Sequence, residues 1–157
     1  MLYGIDVKSA TSLKFEVKAC KNVAVYASSS GIKDSSKPLY EIGIGAAHDT
    51  AVQIRRRNDA SLKFGSSVTT VINIENVLDC NKYRPVSFSL EAGNIMIGSG
   101  NVVGEDTIGI LTDPDPFNVK CLGVLTLDNV AGEFKILTNG KNATETATIT
   151  KQILLYI

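Results

Sequence analysis

"SFSLEAGNIMIGSG", residues 87–100, alternates apolar and polar side chains on either side of a turn-forming centre. Phe88 and Leu90 sit two apart, then Ile95 and Ile97, with Glu91 to Asn94 between the pairs. A two-residue period is that of a strand, whose successive side chains point to opposite faces. A glycine in the short break between two such runs marks a hairpin. The stretch therefore predicts two antiparallel strands joined across Glu91 to Asn94, each burying one face.

The same period recurs outward from this hairpin. It is present at Leu13, Phe15, Val17 and Ala19, at Ile42 and Ile44, and at Val52 and Ile54. It continues at Ile108 and Ile110 and at Phe134 and Ile136, and no stretch keeps a helical period. Turn formers separate the runs: "AAHD", "GSGNVVGED", "TDPDPFN", "LDNVAGE", "TNGKNA". About ten to twelve short strands at this spacing indicate an all-β fold, an antiparallel β-sandwich of jelly-roll-like type. "NVKCLGVLTL", residues 118–127, is apolar on both faces and should be a central, doubly covered strand. The serine-rich stretch Ser28 to Ser36 reads as a long loop, and no linker or repeat divides the chain. Residues 1–157 are expected to form one domain, long enough to bury roughly 70% of the unfolded surface.

The 16 basic and 16 acidic residues cancel. That argues against a nucleic-acid partner, which needs a basic face to gain from counterion release. Arg55, Arg56 and Arg57 form the one basic run, but strand alternation puts Arg56 on the face opposite the other two. The longest apolar runs are too short for membrane insertion. The N-terminus lacks the pattern of a signal peptide, although a mature secreted chain would look the same.

Cys20, Cys80 and Cys121 are spaced too widely for the close-set pairs of a structural zinc site. They are either three reduced thiols, or one bridge and one thiol in an extracellular chain. The acceptor triplet "NAT" at Asn142 fits secretion, the location expected here. Cys20 and Cys121 lie in apolar strands and should be buried. Cys80, in "LDCNKY", should be exposed, which makes it the candidate for an intersubunit disulfide in a homodimer.

Enzyme chemistry finds little support. His48 is the one histidine, so a site with two imidazoles is excluded, and no "GxSxG" nucleophile turn occurs. The spaced glycines of "GIGAAHD" and "GSGNVVGED" open no helix, as a phosphate-binding loop requires. Paired carboxylates could serve a glycosidase, but Asp113 and Asp115 share one short loop and suit a common ligand better than opposed roles. The expectation is a non-enzyme.

"FEVKAC" (15–20), "YEIGIG" (40–45), "DTAVQIR" (49–55), "FSLEAGNIMIGSG" (88–100) and "GILTDPDPFNVKCLGV" (109–124) together resemble the farnesoic acid O-methyltransferase-type domain family. The resemblance covers about residues 15 to 136. It departs from the family in having no Trp, and in having Asp49 where Asn is common. It implies a β-sandwich recognition module of secreted and surface proteins. In size and style the chain is similar to galactose-binding lectins of marine invertebrates, some of which hold sugar through calcium.

"LTDPDPFNVKC", residues 111–121, holds Asp113 and Asp115 extended, each before a proline. They are either turn formers or ligands for Ca2+, which takes six to eight oxygens. Glu105 and Asp106, with Asn101 nearby, form a rival cluster at the other end of the strand "TIGIL", roughly 17 Å away by strand rise. One site cannot use both groups, and Asp113 with Asp115 is preferred. His48 and Asp49, after "YEIGIG", with Asn101, are candidate sugar contacts, supplying planar polar partners and a ring. Tyr26, Tyr40 and Tyr83 are expected in the core or at its rim. The reading is a calcium-assisted lectin for glycans with terminal galactose-type sugars. Its alternative is an extracellular structural or protein-interaction module that binds no sugar.

Overall fold

The computed structural model describes residues 12–30, 37–57, 66–137, 144–147 and 152–156. Asn142, of the acceptor triplet, lies outside them. The described strands are β1 Ser12–Ala19, β2 Val23–Ser28, β3 Leu39–Gly45, β4 Ala51–Arg57, β5 Ser66–Asn73 and β6 Asp79–Glu91. They continue with β7 Asn94–Gly98, β8 Thr107–Thr112, β9 Cys121–Thr126, β10 Gly132–Leu137, β11 Thr144–Ala147 and β12 Gln152–Tyr156.

Two six-stranded sheets result, ordered β11-β10-β1-β6-β7-β8 and β12-β9-β2-β3-β4-β5. Every pairing among the described strands is antiparallel. The antiparallel sandwich read from the sequence is the fold. Among the described residues, no helix is long and apolar enough to cross a membrane.

Alternation produces the sandwich directly. β1 turns Leu13, Phe15, Val17 and Ala19 inward, where they meet Val25, Ile42, Ile54, Phe88, Ile95, Val124 and Phe134 in one core. The hairpin forms as read: Phe88 faces Ile97, Leu90 faces Ile95, and Ala92 and Gly93 turn the chain with φ of 48° and 80°. Two consecutive positive φ values make the tight turn whose twist matches its strands.

β8 departs from expectation. Ile108 packs against the core, but Ile110 is half exposed while Gly109 and Leu111 face inward. The register with β7 decides this: Ile97 pairs with Gly109 and Ile95 with Leu111, with an irregularity beside Gly98. At Gly109 a Cβ would come within 2.6 Å of Ile72, so a glycine is what lets β8 approach the other sheet there.

β9 is the central strand expected within residues 118–127, although it begins at Cys121. It lies between β12 and β2 and is buried over Cys121 to Leu125. β2 and β3 are likewise buried throughout. Their second face carries a smaller cluster of Ala24, Tyr26, Leu39, Cys121 and Leu125.

Candidate functional site

Asp113, first choice as a cation ligand, is buried at the end of β8. Arg56 Nη1 donates to its two carboxylate oxygens at 2.9 and 3.0 Å, and the Tyr40 hydroxyl donates to one at 2.6 Å. The Asp115 N–H donates to Asp113 Oδ1 at 3.0 Å, closing a side-chain turn within the loop. Burial disfavours the charge, but these donors together hold the Asp113 carboxyl below its ordinary range. Tyr40 stacks on Phe117 with ring centroids 4.4 Å apart, and the Arg56 guanidinium lies over the same ring. Arg56 also donates to the Asp115 carbonyl, while the Asp115 side chain is exposed. The donors around Asp113 are protons on neutral or cationic groups, so this loop does not fit a calcium ion. Its geometry is that of a clamp, fastening the end of β8 to β3 and β4.

Glu105 and Asp106 lie on the exposed loop between β7 and β8, as does Asn101. The loop is closed by Ser99 N–H donating to the Asp106 carbonyl at 3.0 Å. Among the described residues, no three His, Cys, Asp or Glu side chains gather as a metal site.

His48 is exposed and Asp49 half-buried in the turn Ala46–Asp49 between β3 and β4. The Asp49 carboxylate points inward and accepts the Leu78 N–H at 3.3 and 3.4 Å. Its burial outweighs these hydrogen bonds and raises its pKa. Asn101 follows β7, in the opposite sheet, so it and the Ala46–Asp49 turn are carried by different layers of the sandwich.

The cysteine expectation needs correction. Cys20 and Cys80 are joined by a disulfide within the chain, with Cα atoms 4.2 Å apart. Cys20 is exposed rather than buried, because it lies just past the end of β1. β1 pairs with β6, and Ala19 faces Asp79, which brings the two thiols together across neighbouring strands. Cys80 is therefore not available as an intersubunit tether. Cys121 is buried, as expected.

A different constellation lies on the second face of the β2–β3–β4 sheet. Strand register aligns Gly123, Tyr26, Glu41, Arg55 and Thr69 in one row across five strands. Glu41 is 3% exposed. Arg55 Nη2 donates to its Oε1 at 3.0 Å, and Arg57 Nε donates to Oε2. The Tyr26 hydroxyl and Arg55 Nε are both buried and have no hydrogen-bond partner among the described residues. Leaving such a group unpaired costs about 1–3 kcal/mol, so these atoms mark a place where a partner would be favoured. Burial first, then the Glu41 charge, pushes the Tyr26 phenol well above its ordinary pKa and keeps it a donor.

Two residues beyond Glu41 on the same strand, Gly43 is buried, and among the described residues a Cβ there would meet Gln53 at 3.9 Å. Its φ is not in the left-handed region, so the backbone does not require glycine. Alternation separates Arg56 from Arg55 and Arg57, as the structure does. Glu41 carries no such signal, because "YEIGIG" reads only as an alternating strand.

Residues 4–139 match the family described as "Farnesoic acid 0-methyl transferase". No curated protein matches the chain. Among solved structures, it is similar to a prokaryotic β-1,3-1,4-glucanase (lichenase) derived from a mouse hindgut metagenome. That likeness has a TM-score of 0.51 at 10% identity and covers 92% of this chain but 62% of the glucanase. A native heptameric SAP-like pentraxin from Limulus polyphemus is similar with a TM-score of 0.40 at 10% identity, over 91% of this chain and 81% of the pentraxin. At 10% identity the glucanase likeness bears on the fold alone.

Proposed function

The chain belongs to the Farnesoic acid 0-methyl transferase family, and from that premise we propose that it is a carbohydrate-binding module rather than a methyl-transferring enzyme. A nucleotide methyl donor suits an alternating strand–helix sheet, whereas the described strands of this sandwich pair antiparallel throughout. One observation carries the reading: on the second face of the sheet the Tyr26 hydroxyl and Arg55 Nε have no hydrogen-bond partner among the described residues, and the Arg55 side chain stays 31% exposed. A sugar would meet the exposed part of the Arg55 side chain with a hydroxyl and lay a ring face on apolar surface. The likeness in fold to a glucanase fits a sugar-handling sandwich without identifying the sugar. His48, exposed on the turn joining β3 to β4, lies at the Gly43 end of this face and could reach a bound sugar's rim.

Galactose-type sugars are the first class to test. Calcium, if it assists, draws on the Glu105–Asp106 loop, because Asp113 is already held by Arg56 and Tyr40. The Cys20–Cys80 bond supports an oxidising, extracellular setting. Single sugar sites are weak, about 4 kcal/mol at a millimolar constant, so a working lectin presents several, and association of copies belongs to this proposal.

The test is a galactan and glycan array, read in calcium and in chelator, with wild type and Arg55→Gln. Wild type should bind and Arg55→Gln should lose binding at least about tenfold, with circular dichroism checking that the variant folds. Binding that a folded Arg55→Gln leaves intact would move the site elsewhere. No binding to any glycan would favour the structural or protein-interaction module instead.

A further inference from the structure

We infer that two copies of this chain associate through the open edge of β5, which pairs antiparallel with its own copy so that one sheet runs on across both. This supplies an interface for the association of copies proposed above, and it rests on the strand edge rather than on a bound sugar. β5, Ser66–Asn73, ends its sheet: β4 pairs with one side of it, and no described strand pairs with the other. An open edge is a row of backbone donors and acceptors that another strand can complete, and natural proteins blunt it with charge, proline or shortness. β5 has none of these. It is eight residues, "SSVTTVIN", with no charged residue, proline or glycine. Val68 and Ile72 pack on the core while Val71 stands on the opposite face, 54% exposed.

The bond just beyond the strand fixes which backbone groups face out. Ile74 N–H donates to the Thr50 carbonyl at 3.1 Å, on the side of β4. In a trans peptide the carbonyl before that N–H points the opposite way, so the Asn73 C=O faces the open edge. Residues of an antiparallel strand alternate in this respect. Thr70 and Ile72 therefore bond toward β4, and Val71 turns its N–H and C=O outward with Asn73. Two copies related by a two-fold axis can set Val71 against Val71, exchanging both bonds at the axis while the exposed side chains meet across it. The register shift with β4 lies beside Arg57 and Ser66, away from Val71. Self-pairing brings no like charges together, because the strand has none. A copy's β5 is already extended in its own sheet, so pairing with it orders no new chain, whereas a free peptide would have to be ordered. The same edge is used in both copies, so the assembly closes at two.

The experiment measures the mass of the full chain by sedimentation equilibrium, without glycan, up to roughly 1 mM, the weak end of specific association. Wild type should reach a dimer and go no further. Val71→Pro removes an N–H that faces the open edge and not β4, where proline is tolerated. It should keep the fold by circular dichroism and weaken the dimer at least about tenfold. Val71→Lys sets like charges across the axis, so it should weaken the dimer as well and recover in part at high salt. Should Val71→Pro fail to fold, Val71→Lys carries the test. Ile110→Lys, on the exposed face of the other sheet's edge strand β8, should leave the dimer unchanged. In hydrogen exchange the Val71 amide should be protected in the dimer and fast in the monomer, with the Ile72 amide protected in both. A wild type that stays monomeric overturns the inference. So does a dimer that survives in the Val71 variant that folds, a dimer that Ile110→Lys removes, or assembly beyond two. A dimer through this edge with every glycan silent keeps the interface and removes only the sugar-binding reading, and a monomer that binds glycan does the reverse.

Discussion

Ala47, His48 and Asp49 have φ of 50°, 65° and 63° in succession. Left-handed backbone is costly for side chains with a Cβ, though Asn and Asp tolerate it best. Nothing local in "AAHD" announces such a run: Ala47 has no left-handed preference, and the turn is fixed by Thr50, whose N–H reaches the Ala46 carbonyl and whose hydroxyl reaches that of Ala47. At Asp49 the backbone and the charge disagree. The conformation suits Asp, but burial raises its pKa, so the ionised form is disfavoured in the fold. That cost is absent below the ordinary carboxylate value, 3.8, develops as pH rises through the raised folded value, and persists at neutral pH. Asn keeps the left-handed preference and can still accept the Leu78 N–H. Asp49→Asn should therefore raise stability slightly at pH 7, by up to about 0.5 kcal/mol. The gain should vanish as pH falls through the Asp49 titration, which thermal melts from pH 7 to 4 would follow.

At the scale of elements, period-2 alternation is legible because it depends on neighbours within one strand. β1, β3, β4, β7 and β10 bury the residues that their alternation nominates. β8 breaks the pattern at Ile110 because register with β7, not composition, chooses its inner face. The "DPDP" loop is half legible. Asp113 does form a turn with the Asp115 N–H, but its partner Arg56 lies 57 residues away on another sheet. No local pattern encodes that pairing. Asp113 is buried and Arg56 mostly so, with side-chain exposures of 0% and 17%. Removing one member of a buried pair leaves the other uncompensated and costs about 3–5 kcal/mol. Asp113→Asn should lose stability on that scale in urea melts at pH 7 while leaving glycan binding unchanged, since Tyr26, Glu41 and Arg55 face away from the clamp. The lowered pKa of Asp113 adds a pH signature. Its stabilisation is full above the ordinary value of 3.8 and fades as pH falls below that toward the folded value. Wild type should lose its advantage over Asp113→Asn in that acid window.

For the whole molecule, the class of fold is readable from strand count and turn spacing, but the sheet order is not. β1 sits between β10 and β6, and closures over such distances leave no trace in a local period. The cysteines bear the consequence. Sequence alone places Cys20 in an apolar strand and Cys80 among polar neighbours, and so keeps them apart. Sheet order makes them neighbours, because β1 ends where β6 begins. Their bond closes a 60-residue separation, and loop-closure entropy for a span of that size is about 4 kcal/mol. At roughly 2–4 °C per kcal/mol for a chain of this size, reduction should lower the melting temperature by roughly 10 °C, and Cys20→Ser with Cys80→Ser should match it. Thiol titration of the denatured native protein should find one reactive group, Cys121, rising to three after reductant. A non-reducing gel should show a monomer, so any assembly into a multivalent lectin has to come from non-covalent contacts. Three titratable thiols in protein kept under oxidising conditions, with a melting point indifferent to reductant, would dissolve this staple and reopen Cys80 as a bridge between copies.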